Sequence, residues 1–249
     1  MDLREGSEES MWKQLIEGLP GTTEEVGAAI RNTLMAAGHL HLRYPMSMES
    51  YEGIACRLGT IVLRSDVKVD LDRAHRQEQV RNIRGRGGIY SPSPLDLHAD
   101  PNADLVSWYC VEQEETGGPM LMVDMGNLEE HFSAEELAIL CKVELWSPAR
   151  KSEAEPEILT PTPMLSRKNG RYKLFYASWL LRESYDNDAA IALEKFARLL
   201  KHMEETQLIT LPIKKHDTVF IDNGRMLHGR GALPETSKRH LVRFYLRAA

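Results

Sequence analysis

Strand-length runs of apolar and β-branched residues recur along this chain between turn residues, and they restrict it to a strand-dominated fold. Leu105 to Val111, Met120 to Val123, Leu208 to Ile213, Thr218 to Ile221 and His240 to Leu246 are five such runs. Thr60-Ile61-Val62-Leu63 and the alternating His39-Leu40-His41-Leu42 add two earlier ones. Helical signals are few. Thr22-x-x-Glu25 reads as a capping box opening a helix to about Ala37, where Gly38 ends it. Ser47 to Gly59 reads as a second capped helix, and Ser133-x-x-Glu136 starts a short third. Asp188 to Glu205 places Ala189, Leu193, Phe196, Leu199, Leu200 and Met203 on one helical face, the pattern of a scaffold helix. Many short strands with helices at the start and one near the end predict a β-rich α+β domain. A two-sheet barrel or sandwich satisfies that pattern best.

Between these elements the pattern is weak from Arg64 to Pro94, where Arg84-Gly85-Arg86-Gly87-Gly88 predicts a tightly turned loop. No Gly-Lys-Ser/Thr follows those glycines, so they do not form a phosphate-binding loop. Glu153 to Pro163, rich in proline and charge, reads as a surface loop long enough to serve as a lid. His39 and His41 share one face of their strand but have no third ligand nearby, and they read as a polar strand face. Cys56, Cys110 and Cys141 are odd in number and far apart, so each is read as a small buried hydrophobe, with no disulfide framework or thiolate zinc site. A chain of 249 residues is long enough for one sizeable core, and a single domain over 1–249 is expected. The formal charge of −6 argues against nucleic acid as a partner. No run reaches the length of a membrane span, and the charged opening Met1 to Glu5 lacks a signal peptide's apolar stretch. A cytoplasmic location is the expectation.

The chemistry concentrates at two distant places. His98-Ala99-Asp100 follows the apolar Leu95 and Leu97, and on an extended segment residues i and i+2 project the same way. An imidazole nitrogen and a carboxylate oxygen can therefore converge on one ion. The buried-strand pattern Val219-Phe220-Ile221 runs into the turn Asp222-Asn223-Gly224, and His228 then stands where the next strand should begin. Gly229 beside it would allow close backbone approach. Two imidazoles and one carboxylate suit a borderline divalent metal and leave three coordination positions open. His-x-Asp alone occurs often by chance. Its weight comes from the conjunction with Asp-Asn-x4-His-Gly-Arg and with arginines eleven and fifteen residues beyond His228.

At these residues the sequence resembles the taurine dioxygenase and clavaminate synthase group of iron(II)/2-oxoglutarate oxygenases. Leu97-His98-Ala99-Asp100, Gly117-Gly118, Asp222-Asn223-x4-His228-Gly229-Arg230 and Arg239-x3-Arg243 carry the resemblance, and Ala36 to Arg43 with Leu58-Gly59 extends it toward the N-terminus. It implies a double-stranded β-helix, or jelly roll, with flanking helices. It also implies iron(II) on His98, Asp100 and His228, with 2-oxoglutarate as co-substrate and O2 as oxidant. Arg239 matches the arginine that holds the distal carboxylate of 2-oxoglutarate, a task suited to a guanidinium fork. Arg243 matches an arginine that often binds substrate, and Arg86 and Arg230 are further candidates for an acidic, small-molecule substrate such as an amino acid. Hydroxylation with release of succinate and CO2 is the implied default. Many relatives carry Thr after Gly-Gly-x where this chain has Met120, so either another donor such as Ser107 or Tyr109 serves the co-substrate or its affinity is lower. Two other readings fit parts of the pattern. One is a zinc-dependent hydrolase using the same three ligands, which has no need of Arg239. The other is a non-catalytic regulator that binds metal or ligand.

Overall fold

The computed structural model describes residues 23–70, 89–114, 117–149, 158–182 and 184–248. Thr22, Arg84, Arg86 and the first part of the expected 153–163 loop lie outside these residues. Five helices are described: α1 Thr23–Ala37, α2 Met48–Leu58, α3 Leu128–His131, α4 Ala134–Leu140 and α5 Asn187–Gln207. The strands are β1 His39–Leu42, β2 Gly59–Lys68, β3 Leu95–His98, β4 Leu105–Glu112, β5 Met120–Asp124, β6 Glu144–Ala149, β7 Ile158–Pro163, β8 Leu165–Lys168, β9 Arg171–Leu174, β10 Ile209–Leu211, β11 Thr218–Asp222, β12 Met226–Arg230 and β13 His240–Ala248.

Local chemistry explains where most helices begin. Ser47 caps α2 by accepting from the Ser50 amide at 3.1 Å. Ser133 and Glu136 form the full reciprocal capping box of α4, at 3.2 and 2.7 Å. Asp186 caps α5, whose Ala189, Ala192, Phe196 and Met203 are buried. Among the described residues no helix is long and apolar enough to cross a membrane.

Nine strands make the core. One sheet has the order β1-β11-β4-β13-β2 and the other β10-β5-β12-β3, with all neighbours antiparallel. Period-two alternation sorts their side chains into layers. Val106, Trp108 and Cys110 of β4 pack with Met120 and Met122 of β5, Met226 of β12, and Leu241 and Tyr245 of β13. The intervening residues Leu105 and Tyr109, with Phe244 and Leu246, pack instead against α1 and α2 through Ile30, Leu34, Tyr51 and Leu58. The outer face of the four-stranded sheet is covered by α3, α4 and α5 and by the β8–β9 hairpin. This is the two-sheet, helix-flanked architecture that the sequence pattern predicts.

Several expectations need correcting. Residues 158–163 are not loop but β7, paired with β6 from Glu144↔Pro163 to Ala149↔Ile158. Both strands of this ribbon are edges, so proline's missing N–H costs no ladder bond on the open side. Strand β2 runs on to Lys68 because β13 templates its whole length. Strand β10 is shorter than the expected 208–213, since Leu208 caps α5. Cys56 is exposed, because the buried face of α2 falls on Tyr51, Ile54, Ala55 and Leu58; Cys110 is buried and Cys141 half-buried. His41 lies against Asp217 at 2.9 Å, consistent with the polar strand face read for it.

Close packing of β12 on β3 rests on one glycine. A Cβ at Gly229 would overlap the carbonyl oxygen of Leu95 and lie 3.1 Å from the Asp96 carbonyl carbon. Gly229→Ala is therefore expected to force the strands apart at a cost of about 1–3 kcal/mol. Thermal denaturation should show a loss of roughly 2–12 °C in a chain of this size. An unchanged Tm would mean that β3 yields freely.

Candidate metal centre

His98 and His228 are register partners on the neighbouring strands β3 and β12, which is how two residues so far apart in sequence meet. The ladder slips between this pair and Arg230↔Leu95, so β3 carries one extra residue beside Gly229. His228 sits inside β12 rather than at its start. Asp100 follows β3, and its backbone is pinned by Asn223. The Asp100 amide donates to Asn223 Oδ1 at 2.9 Å, and Asn223 Nδ2 donates to the carbonyls of Asp100 at 2.8 Å and Ala103 at 2.9 Å. The turn that launches β12 thus also places the third member of the cluster. From sequence Asn223 was a turn residue and a member of the motif ahead of His228; its burial at 3% exposure and these three bonds show its task.

The potential ligand atoms of His98, Asp100 and His228 all lie within 4.8 Å of one another, and all three residues are buried. His98 Nδ1–H donates to the Asp96 carbonyl at 2.8 Å, leaving the Nε2 lone pair facing Asp100 Oδ1 at 3.8 Å. An outer partner of this kind sets the tautomer a metal requires. Burial, with His228 close by, lowers the His98 pKa to about 4, so its imidazole is neutral at pH 7. Burial alone would raise the Asp100 carboxyl, but the Arg243 guanidinium and the two imidazoles outweigh it and hold the group well below the usual carboxylate range. His228 Nε2 stands 3.3 Å from Asp100 Oδ2 outside hydrogen-bonding geometry. Among the described residues Nδ1 of His228 has no hydrogen-bond partner and Nε2 has only the poorly aligned Asp100 carboxylate, although both nitrogens are buried. Desolvating these groups is costly unless something compensates them. A divalent cation would, and two neutral nitrogens with one carboxylate oxygen are a donor set that fits one.

Aromatic rings wall the cluster. The rings of His98 and His228 are 4.4 Å apart, Trp179 lies 5.1 Å from His98, and Trp108 meets His228 edge-on at 4.9 Å. Neither tryptophan was singled out from sequence. Trp108 could have been, since it shares its strand face with other inward residues of β4.

The arginines divide by what they touch. Arg239 is buried, its Nη1 donates to the Gly118 carbonyl, and burial lowers its pKa to about 10. Gly118 makes the space: a Cβ there would overlap Leu233 and lie 2.9 Å from Arg239 Nη1. Arg243, on β13, is the register partner of Trp108 and of Ser65. It reaches Asp100 Oδ2 at 3.2 Å and donates through Nε to Ser65 Oγ at 3.2 Å. Arg230 is tied to the Ser91 and Ser93 carbonyls, the latter at 2.6 Å. Arg86 lies outside the described residues. The expected substitutes for the missing threonine are misplaced. Ser107 bonds Tyr51 at 2.7 Å, and Tyr109 bonds the Met46 carbonyl at 2.9 Å. Both sit on the helix-facing side of β4, one residue out of phase with Trp108.

Antiparallel two-sheet core and buried His-Asp-His cluster together define an iron(II)- and 2-oxoglutarate-dependent dioxygenase. The sequence pattern described as "Taurine catabolism dioxygenase TauD, TfdA family" matches residues 19–245, and the chain belongs to that family. No curated protein matches it in sequence. Among solved structures it is similar to asparagine oxygenase in complex with Fe(II), 2S,3S-3-hydroxyasparagine and succinate (TM-score 0.67, 16% identity, covering 96% of this chain and 83% of that one). It is also similar to the non-haem iron oxygenase OrfP in complex with Fe and alpha-ketoglutaric acid (TM-score 0.66, 16% identity, 95% and 84% covered). OrfP in complex with Fe, succinate and (3S)-hydroxy-L-Arg gives TM-score 0.67 at 15% identity, with 95% and 86% covered.

Proposed function

We propose that this chain, as one oxygenase domain, hydroxylates an unactivated C–H bond of a small carboxylate-bearing molecule, an amino acid or close analogue. The observation that carries the reading is the buried cluster of His98, Asp100 and His228, in which neither His228 nitrogen makes a well-formed hydrogen bond among the described residues. These three residues would hold iron(II), and Arg239 would hold the distal carboxylate of 2-oxoglutarate. When bound, the metal and co-substrate supply the oxidation: R–H, O2 and 2-oxoglutarate become R–OH, succinate and CO2. The protein's own work is placement and exclusion of water. His98 is oriented by the Asp96 carbonyl, Asp100 by Asn223, and the imidazoles are screened by Trp108 and Trp179.

A buried guanidinium with no ion pair to a carboxylate among the described residues favours an anionic ligand, which supports Arg239 as the co-substrate anchor. The substrate's acid group is assigned to Arg243, the cation nearest the cluster. Arg230, buried with Nη2 on two loop carbonyls and Nε without a partner among the described residues, is a second candidate for that group. The amino-acid assignment is supported by the neighbours, whose bound products are hydroxyasparagine and hydroxyarginine.

Succinate formation from 2-oxoglutarate, measured with iron(II) and with a chelator across matched acids, amides and amines, tests the reading. Chelator-sensitive turnover, fastest with compounds bearing a free carboxylate, is expected. Best turnover with neutral or cationic compounds lacking any acid would overturn the substrate class. Absence of iron-dependent turnover with every compound would favour a non-catalytic binding role.

A further inference from the structure

Asp100 has two oxygens, and the residues around them treat the two differently. On β13 the alternation Leu241, Arg243, Tyr245 turns these three side chains inward between the sheets. Tyr245 is 6% exposed, and its hydroxyl donates to Asp100 Oδ1 at 3.0 Å. Its ring lies beneath the Arg243 guanidinium, 4.5 Å from the centroid, a stacked arrangement that holds both side chains. Arg243 straddles the carboxylate at 3.4 Å from Oδ1 and 3.2 Å from Oδ2. Those distances are long for charge-assisted bonds, so Arg243 supplies charge while Tyr245 supplies direction.

We propose that Tyr245 is a positioning residue that occupies Oδ1 of Asp100 and so makes this carboxylate a one-oxygen metal ligand; the inference rests on the metal assignment above. Carboxylates bind metals through one oxygen or both, and a buried phenol donor on one oxygen biases the choice. The choice matters for an oxygenase. Three single-atom ligands leave three positions of an octahedral ion open, whereas a two-oxygen Asp100 would close one of them. A phenylalanine would fill the same volume without choosing. The buried hydroxyl therefore has a use that packing does not explain, since an apolar ring costs less to bury.

Tyr245→Phe removes only that hydroxyl. Metal-free wild type and variant are titrated with Co(II), following its visible absorption, and the melting of both metal-free proteins is recorded. The variant is expected to show an altered Co(II) spectrum, because the freed Oδ1 can join the ion, with an affinity that does not fall, while its metal-free Tm stays close to that of wild type. An unchanged spectrum overturns the proposal, as does a weakening matched by a large fall in the metal-free Tm. His98→Ala is the control for the underlying reading. If it abolishes Co(II) binding while Tyr245→Phe changes nothing, only the role of Tyr245 falls; if it leaves binding intact, the metal assignment falls with it. A crystal structure of the Mn(II)-loaded wild type decides independently of any variant's folding. One Asp100 oxygen on the metal with Tyr245 on the other is the expected result, and both oxygens on the metal overturn the inference.

Discussion

Replacing His98 or His228 by alanine is expected to abolish iron-dependent succinate formation and leave a folded protein. The reason for the first half is geometric. The pair faces each other across β3 and β12, and removing either ring leaves two ligands where the cluster offers three. The reason for the second half is energetic. Truncating a large buried side chain costs about 2–4 kcal/mol in lost contact and cavity. At His228, however, two buried nitrogens without well-formed hydrogen bonds among the described residues disappear as well, which returns about 1–3 kcal/mol of desolvation penalty. The metal-free protein should thus lose little stability at position 228. It should lose more at 98, where the bond to the Asp96 carbonyl is also removed. Circular dichroism with thermal melting tests folding, and a coupled succinate assay tests turnover. Near-normal turnover in either variant would sink the assignment of the cluster.

Arg239→Ala is expected to raise the KM for 2-oxoglutarate about tenfold to a hundredfold. Charge-assisted hydrogen bonds contribute on the order of 1.5–3 kcal/mol, which converts to that range. The structure adds a second expectation. Arg239 is a buried cation whose described neighbours include the Gly118 carbonyl, and burial already depresses its pKa to about 10. Without an anion it is a liability, so its removal should cost the ligand-free protein little. The Tm increase on adding 2-oxoglutarate, rather than the starting Tm, should shrink. Arg239→Lys keeps the charge but loses the fork and should fall between the two. If Arg239→Ala leaves the KM unchanged, the anchor lies elsewhere, and Arg243 is the next buried cation to test.

How much of this was legible in the chain varies with the range of the interaction. Ser133 and Glu136, three residues apart, cap α4 as read, and the apolar stripe of Asp188 to Glu205 lies on one side of α5. Such features are local, and a helix reports them in its own periodicity. The cluster was also legible, because the His-x-Asp spacing lets both side chains project the same way on an extended segment and the motif around His228 is specific. Conversely, the misread 158–163 segment is a strand only because β6 lies beside it. Proline and charge content could not report a partner.

What the sequence by itself determined, then, was the β-rich architecture, the helix starts, and the identity of three residues able to hold a metal. Tertiary structure alone decided which face each side chain met. Ser107 and Tyr109 turn toward the helices while Trp108 turns toward His228, a difference of one residue in β4 whose meaning depends on what packs on either side. Asn223 reaches back across 123 positions to fix Asp100. Arg243 and Tyr245 converge on the same carboxylate from the strand farthest along the chain. Strand register has a period of two, so a slip of a single residue would exchange every one of these contacts for its neighbour. Register is set by the pairing of distant segments, and no local pattern contains it.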